Sequence, residues 1–401
     1  MSTPGPFGGG GGNPFEGMPI FGDLARLFQN QGPVNWDVAR QIGSYMAAEG
    51  QQDVNVDPLV RMQLEELGRI ADMHVNSRTG LSTLHDGRPL EVRAASRAVW
   101  ASATLDAYRA LFERLATSLG RGSMTAPSMG DDGDDADDPD EEMLGNLLQV
   151  MAPTILGMQL GLMAGHLARR SFGQYDLPVP RPPAGELLLI VDNIDAFAKD
   201  WSLPVPDVRL WVCIDNITHH AVLALPHVRA RLDELLSAYA GGFRPDADAL
   251  AAKLENIDPA DSGSWESAFG DPDALLGSMQ TAEQAALRPQ LEAVTGVIEG
   301  YVDYVLDNVG RGLIGSFGSL SEALRRRRVE ANPGDRFVER LFGLELGQKQ
   351  YDRGSRFVHG IVERVGEDGL ARLWQDDRHL PTPAEVDAPG LWWERVNLPQ
   401  G

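Results

Sequence analysis

The sequence has almost no cysteine. Among 401 residues Cys213 stands alone, so no disulfide can close within the chain and a reducing compartment, the cytoplasm, is the expectation. Positive charge is also scarce, with 35 Lys and Arg against 58 Asp and Glu and a net charge of −23. That balance excludes general nucleic-acid binding, which needs clustered bases against phosphate. The N-terminus lacks the basic-then-apolar layout of a secretory signal. It carries instead a glycine run, Gly8 to Gly12, and reads as a flexible tail over residues 1–18. No repeat of fixed period is present. Aromatic residues make up only 7%, while Ala, Leu, Arg and Glu are frequent, which favours helix over sheet.

What is present is a succession of helical patterns. Three are predicted near Trp36–Glu49, Asp57–Val75 and Leu90–Leu119, with apolar residues at helical spacing such as Leu59, Met62, Leu67 and Ile70. Gly120–Glu142 interrupts them with Gly, Ser and Pro and nine acids from Asp131 onward. It cannot bury enough apolar surface to order itself and reads as a solvated linker. Its acids lack the alternating spacing and closing glutamate of a calcium-binding EF-hand. Met143–Ala168 has no Asp, Glu, Lys or Arg and is long enough to cross a bilayer, with Gly157, Gly161 and Gly165 four residues apart. Asn146, Gln149, Pro153, Gln159 and His166 argue instead for the central helix of a large soluble core, so no membrane insertion is expected.

Asp176–Ala184 is proline-rich and extended, and Glu186–Val191 is the best candidate for a short strand. From Pro206 onward helix follows helix, with capping boxes at Thr281/Gln284 and Ser319/Glu322 and breaks near Gly241, Asp258–Gly270, Gly315, Pro333, Gly347 and Gly366. Arg325–Arg328 reads as a solvated helix face paired with Glu322 and Glu330. The predicted class is mostly α, with at most a short strand element.

Chemistry concentrates in Leu210–Leu225, LWVCIDNITHHAVLAL. This apolar helix holds Asp215, Asn216, Thr218, His219 and His220 at its middle, and buried polar groups need partners. Four-residue spacing puts Asp215 and His219 on one face, Asn216 and His220 on the next. Two readings stay open: a metal site, or a hydrogen-bonded cluster fixing neighbouring helices. Leu291–Val309 adds two acids one turn apart, Glu299 and Asp303. Two ligands from one helix and an acid from a later one is an arrangement that zinc sites use. Cys213 reads as a buried structural residue. His74, His85, His166, His227, His359 and His379 show no ligand spacing, and Trp392 and Trp393 are expected to anchor the C-terminus.

The runs RLWVCIDNITHHAVLALPHVRARL (Arg209–Leu232) and VIEGYVDYVLD (Val297–Asp307), with EALRRRRVE, RFVERLFGLELGQKQYDRG and LPTPAEVDAPGLWW further on, resemble a family from high-GC Gram-positive bacteria. Its members are described as zinc-dependent metalloproteases or hydrolases, with relatives associated with coenzyme F420 biosynthesis. The resemblance covers nearly the whole chain apart from the glycine tail and acidic linker. It implies a helical zincin-like fold in which residues 143–401 pack with residues 19–120 as one unit, joined by a linker at 121–142. It also implies an H-E-x-x-H helix and a downstream glutamate. By position the first ligand falls on Asp215, the general base on Asn216, the second ligand on His219 and the third on Glu299.

Two of these depart from the family pattern. Asn216 is neutral and cannot accept the proton of a metal-bound water, a loss of about 10²–10⁴-fold in rate. Asp215 gives a set of two carboxylates and one imidazole, which suits Mn²⁺ or Mg²⁺ better than two imidazoles do and need not favour zinc. His220 points about 100° away from His219 and is expected to orient a neighbour. Tyr301 is an oxyanion donor if it lines the same cavity. The expectation is a zincin-like protein without ordinary peptidase activity, a pseudoenzyme or scaffold for a peptide or protein partner. The alternatives are an active metal-dependent hydrolase recruiting Asp215 or Asp303 as base, and a purely structural helical interaction protein.

Overall fold

Many of the helices begin where the sequence supplies a capping side chain or a proline. The structure, a computed structural model, describes residues 32–51, 55–124, 139–243, 281–329, 333–344 and 347–398. The first half holds α1 (Trp36–Ala47), α2 (Pro58–Thr79), β1 (Glu91–Ala95), α3 (Arg97–Ala107), α4 (Arg109–Met124) and α5 (Pro139–Ala168). After it come β2 (Glu186–Ile190), α6 (Val191–Asp200), α7 (Val205–Leu223), α8 (Pro226–Gly241) and α9 (Ala282–Leu313). The chain closes with α10 (Phe317–Val329), α11 (Pro333–Phe342), α12 (Gln348–Val365), α13 (Asp368–Leu373), α14 (Pro383–Asp387) and α15 (Pro389–Asn397). Asn35, Asp57 and Ser96 each accept a first-turn backbone N–H, and the Thr281/Gln284 capping box is formed. The fold is mostly α, as the composition predicts.

Several local expectations shift. Leu90–Leu119 is not one helix: Glu91–Ala95 pairs in parallel with Glu186–Ile190, Val92 opposite Leu187 and Ala94 opposite Leu189. Val92, Leu187, Leu189 and Ile190 are buried, and this long-range pairing outweighs the local helical spacing. Ser319 lies inside α10, which starts two residues earlier, so it caps nothing. Helices also reach into the range read as linker, to Met124 and from Pro139. Residues 125–138, the glycine tail and the expected break at 258–270 lie outside the described residues.

The four-residue glycine spacing of α5 has a packing cause. A Cβ at Gly157 would overlap the Asn35 carbonyl oxygen, one at Gly161 would stand 2.6 Å from the Ala39 carbonyl oxygen, and one at Gly165 would press on Met46. Helices α1 and α5 therefore cross in backbone contact, as small residues permit. Among the described residues no helix is long and apolar enough to cross a membrane.

The core is continuous from Trp36 and Trp100 near the start to Trp392 near the end. Trp392 is fully buried and its Nε1 donates to the His379 carbonyl 2.6 Å away, which ties down the C-terminal segment. At its centre lies α7, with every residue from Val208 to Leu223 buried.

Candidate metal centre

Burial of all faces of α7 leaves its polar residues no recourse to water, so each needs a protein partner. Asn216, 1% exposed, finds three. Its Oδ1 accepts from Tyr175 N at 3.0 Å, and its Nδ2 donates to Val212 O at 3.3 Å and to Asp215 Oδ2 at 3.2 Å. Thr218 donates back to Ile214 O at 2.7 Å. His220 pairs through Nδ1 with the Tyr175 hydroxyl at 3.1 Å. Burial, reinforced by the nearby Arg229 charge, pulls its pKa down to about 4.

His219 sits between two carboxylates. Its Nε2 lies 3.4 Å from Glu299 Oε1, contributed by α9. On the other edge of the ring, Nδ1 lies 3.1 Å from the Asp215 carbonyl and 3.7 Å from Asp215 Oδ2. The Tyr175 ring stacks alongside, centroids 6.3 Å apart and nearly parallel at 9°. Burial works against protonation of His219, but Asp215 and Glu299 together outweigh it and hold the pKa well above the ordinary value.

Glu299 reaches this position because α9 can approach α12 closely. Gly296 and Gly300 flank it in sequence, and a Cβ on Gly354 of α12 would overlap the Gly296 carbonyl oxygen. Asp303, one turn beyond Glu299, is half-buried. Tyr301 packs edge-on against Trp374, centroids 5.0 Å apart, and burial pushes its phenol up to about 12. Two residues from Glu299 on a helix, it projects about 200° around from it. Cys213 is fully buried, its thiol pushed up to about 12 by that burial.

The donor set can be compared with what zinc requires. Two donors bound at 2.0–2.1 Å to one tetrahedral ion stand roughly 3.3 Å apart, and the Nε2–Oε1 spacing of 3.4 Å meets that. Asp215 does not join them, because its carboxylate faces Nδ1 and the Asn216 amide. Among the described residues no three His, Cys, Asp or Glu side chains converge on a common point. The residues present thus do not fit a three-ligand zinc centre. They form a buried row of acid, imidazole and acid.

The segment that covers this helix has no signature in its own residues. Phe172–Asp176 is fixed on several sides: Ile190 N donates to Phe172 O at 2.7 Å, and Gly173 forms a bridge to Leu189. Trp100 Nε1 donates to Gly173 O at 3.0 Å, and Asp176 accepts from Phe172 N and Gly173 N. Arg327, expected on a solvated face, turns inward: it donates to the Arg170 carbonyl, lies 3.3 Å from Asp176 and covers the Phe172 ring at 3.7 Å. Arg325 and Arg326 do pair with Glu322, as expected. A Cβ on Gly173 would overlap Asn216 Oδ1, so the segment fills the space above residue 216. Asn216→Glu is therefore expected to destabilise the protein by about 1–3 kcal/mol through overpacking, visible as a lower urea midpoint. An unchanged midpoint would mean that the segment yields.

The comparisons with known proteins agree with this fold. The sequence profile of the zincin-like metallopeptidases matches residues 34–393. A solved structure, described as "a putative hydrolase with a novel fold from Chloroflexus aurantiacus", superposes with a TM-score of 0.62 at 24% identity, over 92% of this chain and all of that one. At that identity the likeness speaks for the fold. A search of curated proteins found no significant match. With nearly all of its length inside the family profile, the chain belongs to the zincin-like metallopeptidase family.

Proposed function

We propose that this chain is a zincin-fold protein that has given up ordinary peptide hydrolysis and serves as a binding scaffold for a peptide or protein partner in the cytoplasm. The observation that carries this reading is Asn216. It stands at the position of the general base, yet every polar atom of its side chain is engaged in holding Tyr175, Val212 and Asp215. A carboxamide cannot relay a proton from water to a leaving amine, and this one is closed off by the segment above it. The separation of Asp215 from the His219–Glu299 pair supports the same reading, because a catalytic zinc needs three protein ligands and an open position.

The second reading, a metal-dependent hydrolase with a non-standard site, draws on one observation. His219 Nε2 and Glu299 Oε1 are spaced to share an ion, with Asp303 one turn away. Elemental analysis of the purified protein, together with a fluorogenic peptide-library assay, separates the two. The scaffold reading expects well under one equivalent of zinc or manganese and no cleavage above buffer. One equivalent of metal, with cleavage that disappears in Glu299→Gln, would overturn it.

A further inference from the structure

The outer face of α2 carries large apolar side chains that the core does not use. Leu59, Met62 and Met73 are 62%, 66% and 60% exposed, whereas Leu64, Gly68, Ala71 and Val75 of the same helix are buried. Those four form the inner face, where a Cβ on Gly68 would press on the Val92 side chain of β1. Beside them Gln63 accepts from Arg209 of α7 at 3.2 Å. At 100° per residue, Leu59, Met62 and Met73 share a stripe with Glu66 and Arg69, roughly 80° wide and on the opposite side of the helix.

Positions 59, 62, 66, 69 and 73 alternate steps of three and four. That is the register of a seam along which one helix packs on another. Two of its apolar members are methionines, whose flexible side chains adapt to a facing surface and are enriched at interfaces. Glu66 and Arg69 stand at its middle, both exposed and paired across one turn at 2.7 Å.

The order of residues along the stripe decides what fits it. Positions 62 and 73, like 66 and 69, are symmetric about its middle. A two-fold axis there lays the helix antiparallel on a copy of itself, with Met62 against the partner's Met73 and Glu66 against the partner's Arg69. Each contact then occurs twice, as in any isologous interface. Leu59 covers the last turn of the facing helix. A parallel arrangement would instead set each acid against its own copy and each arginine against its own. We propose that the outer face of α2 is a homodimer interface, in which two copies of this chain pair antiparallel along the stripe from Leu59 to Met73.

The net charge of −23 on each copy opposes association, but physiological salt screens it beyond about 8 Å, and the contact itself pairs opposite charges. Five side chains are far fewer than the roughly 20–30 residues a side of a standard interface. The dimer is therefore weak, with a dissociation constant on the order of 10–100 µM. Because α7 packs on the inner side of α2, the pairing sets two copies of α7 back to back, their axes about 25–30 Å apart across three helix-to-helix steps. It holds whatever the α7 site binds, so it stands or falls separately from the scaffold reading.

The test is sedimentation equilibrium of the full chain at physiological ionic strength, from about 1 to 500 µM, a range that brackets such a constant. A monomer–dimer equilibrium is expected. Glu66→Arg and Arg69→Glu each set like charges opposite one another, and each is expected to weaken the dimer at least about 10-fold. The two substitutions change the net charge in opposite directions, so a general charge effect would move them apart. Mixed in equal amounts, the two variant chains are expected to form a heterodimer. The double variant Glu66→Arg/Arg69→Glu, with its net charge unchanged, is expected to dimerise as the unsubstituted chain does. Both side chains are exposed, and recovery on mixing shows that the single variants are folded. A chain that stays monomeric throughout the range overturns the proposal, as do single variants that dimerise undiminished. Failure of the mixture or of the double variant to recover dimerisation overturns the antiparallel pairing and the proposal with it.

Discussion

Glu299→Gln, measured in protein stripped of metal, is expected to lose about 3 kcal/mol of unfolding free energy, the lower end for removing one partner from a buried ion pair because Asp215 remains. His219 and Glu299 are both buried, with Nε2 and Oε1 3.4 Å apart. An amide there leaves the imidazole facing a neutral group on one edge. The sign of the effect discriminates between the two readings of the site. An empty metal centre crowds acids together, and neutralising one of them relieves repulsion and stabilises the metal-free fold. A row in which the imidazole itself joins the acids is weakened by the same change. Adding Asp215→Asn should give a total unlike the sum of the single effects, because both acids flank one ring. Chemical denaturation of the two single variants and the double variant supplies the cycle. A gain in stability for Glu299→Gln would return the site to a metal.

The second large effect is expected at Gly354. Replacing it with Ala places a methyl group inside the Gly296 carbonyl oxygen and 3.2 Å from Gly300 N. Backbone cannot step aside as a side chain does, so α9 and α12 must part, costing about 3 kcal/mol or more. The control lies on α9, the other helix of the pair. A Cβ on Gly312 meets nothing within 4 Å, and Gly312→Ala is expected to stabilise by about 0.5–1 kcal/mol through helix propensity alone. Denaturant midpoints of the pair test this. Equal effects would mean that the two helices can separate at little cost. Because Glu299 lies between Gly296 and Gly300, a Gly354→Ala protein that still folds should also carry a displaced carboxylate.

Much of this arrangement is legible in the sequence because its signals are local. The mostly helical class, the polar middle of α7, the strand after the proline-rich stretch and the Thr281/Gln284 cap all follow from spacing within one or two turns. His219 and Glu299 come together as their positions in the two helices suggest. What escapes local reading is anything decided by distant partners. Val92 joins a strand because Leu187 lies across from it, not because of its own neighbours. Ser319 looks like a cap but lies within a helix that begins at Phe317, while Ser316, just before that helix, donates through backbone N and hydroxyl to Asp207. Tyr175 touches the chemistry of α7 from 41 residues away in the chain, and nothing periodic around it announces that. Asp215 illustrates a further limit: spacing puts its Cβ on the His219 face, but only the rotamer decides which ring edge it meets.

The segment Phe172–Asp176 is tied to β2, Trp100, Asn216 and Arg327 at once, and so behaves as a wall of the core and not as a lid. A wall that is ordered during folding leaves little conformational entropy to be lost when something docks against it. Any partner must then match a shape already set, and selectivity would come from the partner's fit instead of from closure around it. On the scaffold reading proposed above, such a wall stays formed whether or not anything is bound.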